Sequence, residues 1–340
     1  MGFQYETGMY GGSFNPLHLG HVDCILRAAS LCRRLYIVLS VGVNRGEVPY
    51  RVRYRWLYQL TCHLGNVTIL TLEDSAAAKA DYTRDLWEKD AAAVKAQIGA
   101  PIDVVFCGDD YGEDSFWNLC YPDSALYIFP RNGMNSTEIR KNPYRRWDWL
   151  PELVRPWYVR KVLLMGGEST GKSTLTISLA RRFNTNYVAE AGRELSEKSG
   201  TDRMMLSQDF TEILLQHKLN EMRALEHSSK VLFIDTDALV TQFYMNFLED
   251  PEIEKNAALS DALDALNTYD LILFLEPDVA FVQDGDRSPV IRDHREKYSR
   301  QIKDLLERRR RSFVCISGGY EERYCRAVEL VQELLDGAPL

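Results

Sequence analysis

Two glycine-rich motifs of the kind that bind phosphate lie about 150 residues apart in this chain of 340 residues. The first covers residues 11–21 and reads GGSFNPLHLGH; the second covers residues 166–174 and reads GGESTGKST. Each motif follows an apolar segment and precedes a helical pattern, which is the context that a phosphate-binding loop requires. The pair therefore predicts two nucleotide sites on two domains.

Length and composition agree with a two-domain globular protein. The chain is 45% hydrophobic and 26% charged, and its length favours two domains, which we expect to cover residues 1–150 and 151–340. Three prolines and three tryptophans mark the boundary segment 143–160. The net charge of −8 argues against a nucleic-acid partner, because such proteins usually carry a basic surface.

The seven cysteines are scattered, with no C-x-x-C pair and no His/Cys cluster at metal-ligand spacing. This pattern is typical of reduced thiols. The N-terminus lacks a signal peptide, and no apolar run approaches the roughly 18 residues of a membrane span. We therefore expect a cytoplasmic protein without membrane insertion, which can be monomeric or an oligomer.

Apolar runs alternate with helical periodicity along both halves, which predicts an α/β fold with two doubly wound parallel sheets. The first domain is expected to be Rossmann-like, and the second is expected to be a P-loop domain. Ligands of such sheets bind at the carboxyl ends of the strands, where both motifs lie. Strands are predicted at 7–11, 35–41, 67–72, 103–107, 125–129, 162–165, 231–234, 271–275 and 313–316, and helices at 19–33, 52–64, 83–98, 172–183, 203–228 and 321–335.

The second motif is a full P-loop match. Its glycines let successive backbone N–H groups point at phosphate, while Lys172 neutralises the β and γ oxygens and Ser173 ligates Mg²⁺. The motif therefore predicts a site for ATP with Mg²⁺. The residues predicted to bind this nucleotide are Gly167, Glu168, Ser169, Thr170, Gly171, Lys172, Ser173 and Thr174.

Acidic and basic residues further along the second half are candidates for the metal and the phosphoryl acceptor. Asp235 ends an apolar strand, where a P-loop enzyme places its metal-orienting carboxylate, so a metal site of Ser173 and Asp235 is predicted. Asp237 is either a further catalytic carboxylate or the N-cap of the next helix. Glu190 and Arg193 either contact the acceptor or form a solvated pair, and Arg287 lies in a lid-like segment at 284–287.

The first motif carries two histidines three residues apart at the start of a predicted helix. His18 and His21 can both donate hydrogen bonds to phosphate oxygens, beside the backbone of Gly12, Ser13 and Phe14. Transfer of a nucleotidyl group needs such charge stabilisation and no protein nucleophile when the acceptor is itself a phosphate. A metal site and purely structural histidines are the alternatives.

A second phosphate-binding helix start is predicted at 134–140. Asn135, Ser136 and Thr137 offer side-chain oxygens beside exposed N–H groups, and Arg140 adds a cation one turn later. A simple helix cap is the alternative interpretation. Arginines at 51, 53 and 55 are further candidates for phosphate contacts, or face solvent on a helix.

Together these motifs resemble a known family. The Gly-Ser-Phe-Asn-Pro sequence at 12–16 resembles nicotinamide mononucleotide (NMN) adenylyltransferases, and the order of motifs is similar to the bifunctional NadR family, which joins such an enzyme to a ribosylnicotinamide kinase. The resemblance implies that His18, His21, Ser136, Thr137 and Arg140 bind ATP in the first domain. It implies that Lys172 and Ser173 bind ATP and Mg²⁺ in the second domain, beside Asp235.

Further properties of that family bear on the expected partners. Some members carry an N-terminal helix-turn-helix that makes them repressors; we expect none here, because the first strand begins within a few residues of the start of this sequence. A vitamin-uptake transporter is a possible functional partner.

The resemblance implies a two-step enzyme with ATP, nicotinamide riboside, NMN and NAD as its small-molecule partners. The second domain would phosphorylate nicotinamide riboside, and the first would join the resulting NMN to the adenylyl group of ATP. Alternatives are a coenzyme A synthase that pairs phosphopantetheine adenylyltransferase with dephospho-coenzyme A kinase, a nucleotide sensor without turnover, and a chain in which one domain works while the other senses.

Overall fold

The computed structural model describes residues 2–42, 48–75, 81–109, 116–130, 133–192, 204–283 and 289–337. The chain divides into two compact units, Met1–Val154 and Arg155–Leu340. The division lies within the segment 143–160. Each unit is built on one parallel five-stranded sheet, so the predicted α/β class with two doubly wound sheets is confirmed.

The first unit has five parallel strands in the order β3-β2-β1-β4-β5. The strand order reverses between β1 and β4, and ligands of open α/β sheets bind at such a point. The strands are β1 (Tyr5–Gly12), β2 (Cys32–Ser40), β3 (Val67–Leu72), β4 (Val104–Gly108) and β5 (Ala125–Phe129); the helices are α1 (Leu19–Leu31), α2 (Tyr50–Thr61), α3 (Arg84–Ile98), α4 (Phe116–Cys120) and α5 (Ser136–Lys141).

The central strand β1 is buried because strands flank it on both sides and helices cover both faces. Gly8, Met9 and Tyr10 pair with β2 on one side and with β4 on the other. A Cβ atom at Gly8 would overlap the Sγ atom of Cys32 and would lie 2.8 Å from the ring of Phe106. Close approach of β2 and β4 to β1 therefore requires glycine at this position.

The second unit has five parallel strands in the order β10-β9-β6-β8-β7. The strands are β6 (Arg160–Gly166), β7 (Tyr187–Val188), β8 (Val231–Asp235), β9 (Leu271–Leu275) and β10 (Val314–Ile316). The described helices are α6 (Lys172–Arg182), α7 (Ser207–Glu226), α8 (Ala238–Phe247), α9 (Ile253–Leu266), α10 (Pro289–Asp293), α11 (Arg295–Arg308) and α12 (Tyr320–Asp336). None of the described helices in either unit is long and apolar enough to span a bilayer.

Helix α9 is among the elements of this unit that the apolar pattern missed, and its composition shows why. Its buried face carries Asn256, Ser260 and Asp264 beside Leu263, so hydrophobic periodicity is weak. The polar side chains are satisfied internally: Ser260 donates to the Ala238 carbonyl over 2.9 Å, and Asn256 donates to a carboxylate oxygen of Asp250, also over 2.9 Å. Hydrogen bonds therefore fix this helix to its neighbours together with the apolar contacts of Leu263 with Leu214 and Ala238.

The environment of Gly8 generates a test of the first sheet. Replacing Gly8 by Ala should destabilise the first unit by about 1–3 kcal/mol, because the added methyl group overpacks the centre of the sheet. Hydrogen exchange measured by mass spectrometry on peptides from β1, β2 and β4 would report the loss of protection. Gly2→Ala is the control, since nothing lies within 4 Å of a Cβ there; equal protection in the two variants would contradict the packing argument.

Candidate active sites

The first motif forms the loop between β1 and α1, at the carboxyl end of the central strand. His18 is the N-cap of α1, and its imidazole stacks on that of His21 with ring centroids 3.7 Å apart. Both rings are buried, and the edge of the Phe14 ring packs on His21 at 5.1 Å. Phe14, which was predicted to bind nucleotide, is itself a buried core residue that supports His21.

Helix α5 brings the second predicted phosphate contact against this loop. Ser136 Oγ donates to the Pro16 carbonyl over 3.0 Å, and the Arg140 guanidinium donates to the Asn15 carbonyl over 2.5 Å. These contacts join segments that are about 120 residues apart in sequence. The structure therefore brings the two histidines and the start of α5 together, as a shared site requires.

The start of α5 is also capped, as the alternative interpretation proposed. Asn135 is the N-cap, and its side-chain oxygen accepts a hydrogen bond from the Glu138 N–H over 2.9 Å. Arg140 donates to Thr137 Oγ1 over 3.1 Å. Asn135 makes the cap of α5, whereas Ser136 and Arg140 make the contacts with the loop between β1 and α1. The capping role and the contacts with that loop are therefore compatible.

Arg53 has a structural role rather than the phosphate contact suggested by its sequence position. Its side chain is 2% exposed and donates to the carbonyl oxygens of Ser13 at 2.5 Å and Ser40 at 2.9 Å. Ser13 follows β1 and Ser40 ends β2, so the guanidinium joins the carboxyl ends of the two strands. Ser13 is thereby fixed through its backbone.

A cavity of about 210 Å³ opens beside Gly12 and Ser13. Two buried or half-buried carboxylates line it. Asp90 accepts hydrogen bonds from Tyr82 Oη at 3.0 Å and Ser75 Oγ at 2.6 Å, and Asp74 accepts one from Ser40 Oγ. The aromatic residues of the wall are Tyr82, Trp87, Phe116, Trp117 and Tyr121. No motif marks any of these residues, because they come from separate strand ends and helices.

The P-loop of the second unit joins β6 to α6 through residues with positive φ. Gly166, Ser169 and Gly171 have φ values of +145°, +57° and +87°. A Cβ atom at Gly166 would lie 2.6 Å from the carbonyl oxygen of Leu275 at the end of β9. The first glycine is therefore required both by its backbone conformation and by the close approach of a neighbouring strand.

Side chains within the P-loop fix its shape. Lys172 Nζ donates to the Gly167 carbonyl over 2.9 Å, and so does Thr170 Oγ1 over the same distance. Glu168 accepts a hydrogen bond from Tyr244 Oη over 3.1 Å. Thr170 is fully buried, so its side chain stabilises the conformation of the loop. Lys172 lies at the start of α6, within reach of the phosphate site of the P-loop.

Ser173 and Asp235 supply the oxygen atoms that Mg²⁺ prefers. Ser173 lies in the first turn of α6, and Asp235 ends β8 opposite Leu164 of β6. Among the described residues no group of three or more His, Cys, Asp or Glu side chains is placed to hold a metal. This sparse donor set fits Mg²⁺ bound with substrate phosphates and water, since Mg²⁺ rarely occupies an all-protein cage.

Asp237 is the N-cap of α8. Its carboxylate accepts a hydrogen bond from the Leu239 N–H over 3.0 Å. Burial raises the pKa of Asp237 to about 7, an effect only partly offset by that hydrogen bond. The geometry favours the capping interpretation over a contact with the phosphoryl acceptor.

Glu190 lies two residues beyond β7 and is half-buried. Its carboxylate acts electrostatically on His217, whose Nε2 atom is 3.3 Å from the Asp235 carbonyl. Burial lowers the pKa of His217, against the hydrogen bond with Asp235 and the charges of Glu221 and Glu190. Glu190 lies at the same carboxyl edge of the sheet as the end of β8, because Val188 of β7 pairs with Ile234 of β8. The predicted contacts Arg193 and Arg287 lie outside the described residues.

A second cavity, of about 520 Å³, adjoins the P-loop. The ring of Tyr320, at the start of α12, lies 3.2 Å from the position of a Cβ on Gly171. The cavity extends along α6 past Thr174, so it continues from the phosphate cradle to an aromatic and basic wall. Its lining includes Thr170, Gly171, Thr174, Ser178, Arg181, Arg182, Tyr320 and Tyr324.

Comparisons with known proteins show the family and the order of the two domains. The family model described as Cytidylyltransferase-like matches residues 9–142, and the model described as AAA domain matches residues 161–323. The "Trifunctional NAD biosynthesis/regulator protein NadR" of Salmonella typhimurium is 30% identical over 348 residues, which cover 98% of this chain and 84% of that protein. The chain belongs to the NadR family.

Two solved structures of the NadR family share the fold of this chain. The "Crystal structure of NadR protein in complex with NR" has a TM-score of 0.81 at 24% identity and covers 100% of this chain and 98% of its own. The "Crystal structure of NadR protein in complex with NAD and AMP-PNP" has a TM-score of 0.77, also at 24% identity, and covers 100% and 99%.

The two interpretations of Asp237 predict different results for Asp237→Asn. As an N-cap, Asn accepts the same backbone hydrogen bond, so phosphorylation by the P-loop unit should fall less than about threefold, because Asn and Asp cap helices almost equally well. Asp237→Ala should instead lower stability by about 1 kcal/mol through loss of the cap. A loss of two or more orders of magnitude in kcat for a folded Asp237→Asn protein would show that the carboxylate takes part in catalysis.

Proposed function

We propose that this protein is a bifunctional enzyme of NAD salvage. The second unit phosphorylates nicotinamide riboside with ATP, and the first unit transfers the adenylyl group of a second ATP to the resulting NMN. The observation that carries the proposal is the presence of two phosphate-binding loops, one at the carboxyl end of the central strand of each sheet, in a chain that aligns with a NadR protein over almost its whole length.

In the kinase unit, the P-loop N–H groups and Lys172 hold the β- and γ-phosphates of ATP. Ser173 and Asp235 would hold Mg²⁺ together with the substrate phosphates, and the ion would supply charge neutralisation there. The adenosine extends into the 520 Å³ cavity beside Gly171. The 5′-hydroxyl oxygen of the riboside attacks the γ-phosphorus, the bond to the β–γ bridging oxygen breaks, and Glu190 accepts the hydroxyl proton.

In the adenylyltransferase unit, the acceptor already carries its nucleophile. A phosphate oxygen of NMN attacks the α-phosphorus of ATP, the α–β bridging bond breaks, and pyrophosphate leaves with the electron pair. His18 and His21, with Ser136 and Arg140 of α5, stabilise the charge on the phosphates. No protein base is required, because no proton has to leave the acceptor.

The 210 Å³ cavity fits the nicotinamide end of NMN. Its aromatic walls and the carboxylates of Asp74 and Asp90 are the surroundings that a cationic pyridinium ring prefers. Phosphopantetheine, the acceptor in the coenzyme A alternative, has no cationic ring for such a cavity. All seven cysteines, which lie in the described part of the chain, are free thiols, which supports a cytoplasmic enzyme.

Separate variants should stop the two half-reactions independently. Lys172→Ala should abolish formation of NMN from nicotinamide riboside and Mg·ATP, because the phosphoryl group loses its principal cation, while adenylylation of supplied NMN continues. His18→Ala should leave riboside phosphorylation intact and lower NAD formation by about 100-fold or more, the scale on which phosphate-stabilising groups act. Mass spectrometry of the products measures both steps in each protein.

The wild-type chain supplies the control, since it should convert nicotinamide riboside through NMN to NAD. If the wild-type chain forms NMN but no NAD, the second unit is a working kinase and the first unit only senses nucleotide. Failure to form either product, with turnover of phosphopantetheine instead, would overturn the proposal. A single variant that stops both steps in a folded protein would contradict two separate sites.

The acidic residues of the aromatic cavity predict selection against nicotinic acid mononucleotide. That acceptor carries an additional carboxylate, which would face Asp74 and Asp90, so its KM should exceed that of NMN by about tenfold, equivalent to about 1.4 kcal/mol. Asp74→Asn should narrow this difference and leave the KM for ATP unchanged. Equal KM values for the two acceptors in the wild-type enzyme would show that the carboxylates do not select the substrate.

A further inference from the structure

The outward-facing carbonyl groups of the P-loop are held by arginines from elements distant in sequence. A phosphate cradle works only if the backbone N–H groups turn toward the anion, which turns carbonyl oxygens of the same loop away from it. In this unit Arg295 donates to the Ser169 carbonyl over 3.2 Å, and Arg323 donates to the Thr170 carbonyl over 2.6 Å. Neither arginine belongs to the P-loop motif or to the metal site.

Arg295 lies at the start of α11 and joins two segments. Besides the Ser169 carbonyl, its guanidinium donates to the carbonyl of Val279 over 2.7 Å. The same stretch of chain binds the loop again, because the Val282 N–H donates to Ser169 Oγ over 2.8 Å. Ser169 is therefore held through both its backbone and its side chain.

Among the P-loop residues with positive φ, Ser169 is the one whose backbone conformation is unfavourable for its residue type. Ser169 has a φ of +57°, a left-handed conformation that is unfavourable for a residue other than glycine. Its neighbours with positive φ, Gly166 and Gly171, are glycines and adopt such values without this penalty. Packing reinforces the contact, since Ser299, one turn after Arg295, lies 3.5 Å from the position of a Cβ on Gly167.

Arg323 holds the adjacent peptide from the other side of the loop. Its side chain is 2% exposed and also donates to the carbonyls of Gly318 and Glu276, and it forms an ion pair with Asp278. This guanidinium is so enclosed that its removal would leave several buried acceptors without a donor. Arg295 is half-buried, so its removal is a cleaner probe of the loop.

We propose that Arg295 is a positioning residue for ATP in the kinase reaction. By binding the Ser169 and Val279 carbonyls, it keeps the apex of the P-loop in the conformation that directs the N–H groups at the phosphates. In this proposal it acts through the backbone of Ser169 rather than by binding substrate or metal. The inference rests on the proposed kinase function of this unit.

The test is steady-state kinetics of riboside phosphorylation by Arg295→Met in the full-length chain. The KM for ATP should rise about tenfold, because part of the free energy of ATP binding is then used to order the loop. At saturating ATP the loop is ordered, so kcat and the KM for nicotinamide riboside should change by less than about twofold. Arg295→Lys should lie between wild type and Arg295→Met, since an ammonium group cannot bridge two carbonyls in the fixed geometry of a guanidinium. Adenylylation of NMN in the first unit is the internal control and should not change.

Arg300→Met is the matched control on the same helix. Arg300 is exposed and pairs with Asp304 and Glu307 on α11 rather than with the P-loop, so its loss should leave the KM for ATP at the wild-type value. An unchanged KM for ATP in Arg295→Met, or an equal rise in Arg300→Met, would overturn the inference. If Arg295→Met is unfolded at the assay temperature, Arg295→Lys carries the test with the same criterion.

Nucleotide binding separates this inference from the function on which it rests. Calorimetric titration of Mg·AMP-PNP into the His18→Ala chain, compared with the His18→Ala/Lys172→Ala chain, reports the P-loop site as the binding that requires Lys172, whichever acceptor the enzyme uses. Suppose that the additional Arg295→Met change weakens binding of Mg·AMP-PNP but the wild type does not phosphorylate the riboside. The proposed substrate would then be refuted, and the positioning role of Arg295 would be retained. Unchanged binding would refute the positioning role alone.

Discussion

Both sites depend on a chain reversal in which backbone N–H groups face an anion while the carbonyl groups of the same peptides face protein. The carbonyls then need donors, and in each unit arginines supply them. In the first unit Arg53 binds the Ser13 carbonyl and Arg140 binds the Asn15 carbonyl. In the second unit, Arg295 and Arg323 bind the loop in the same way. All four arginines thus act on the loops through protein carbonyls, and Arg140 is in addition one of the phosphate contacts that we propose.

This arrangement reconciles an acidic chain with two sites for triphosphates. The net charge of −8 describes the whole surface, whereas anion binding is decided by the few groups that face the loops. At the carboxyl ends of parallel strands, helix N-termini and N–H groups already favour negative charge. Only a few cations therefore have to lie near each loop. The main contribution of a cation such as Arg53 to anion binding is to fix the conformation of the backbone.

The sequence allowed prediction of the features that depend on local pattern. The apolar strands, the P-loop and the pair of histidines lie in contiguous segments, so spacing alone locates them. Trp117, Asp90, Arg295 and Arg323 could not be found in this way, because each reaches its site through tertiary packing from a separate helix. Asp237 was located by the sequence, but its role was not. Its position two residues after Asp235 fits a catalytic carboxylate and an N-cap equally well. Only its burial and its hydrogen bond with the Leu239 N–H favour the cap.

The chemistry of the two steps explains why the units differ in their acidic residues. Nicotinamide riboside presents a neutral hydroxyl, so we expect the kinase unit to place a carboxylate near the acceptor, and Glu190, two residues beyond β7, is the one we propose. Phosphorylation converts that hydroxyl into a phosphate, which is itself the nucleophile of the next step. The adenylyltransferase unit therefore needs donors for phosphate around His18 and His21. Its carboxylates, Asp74 and Asp90, line the cavity that we propose for the cationic ring instead.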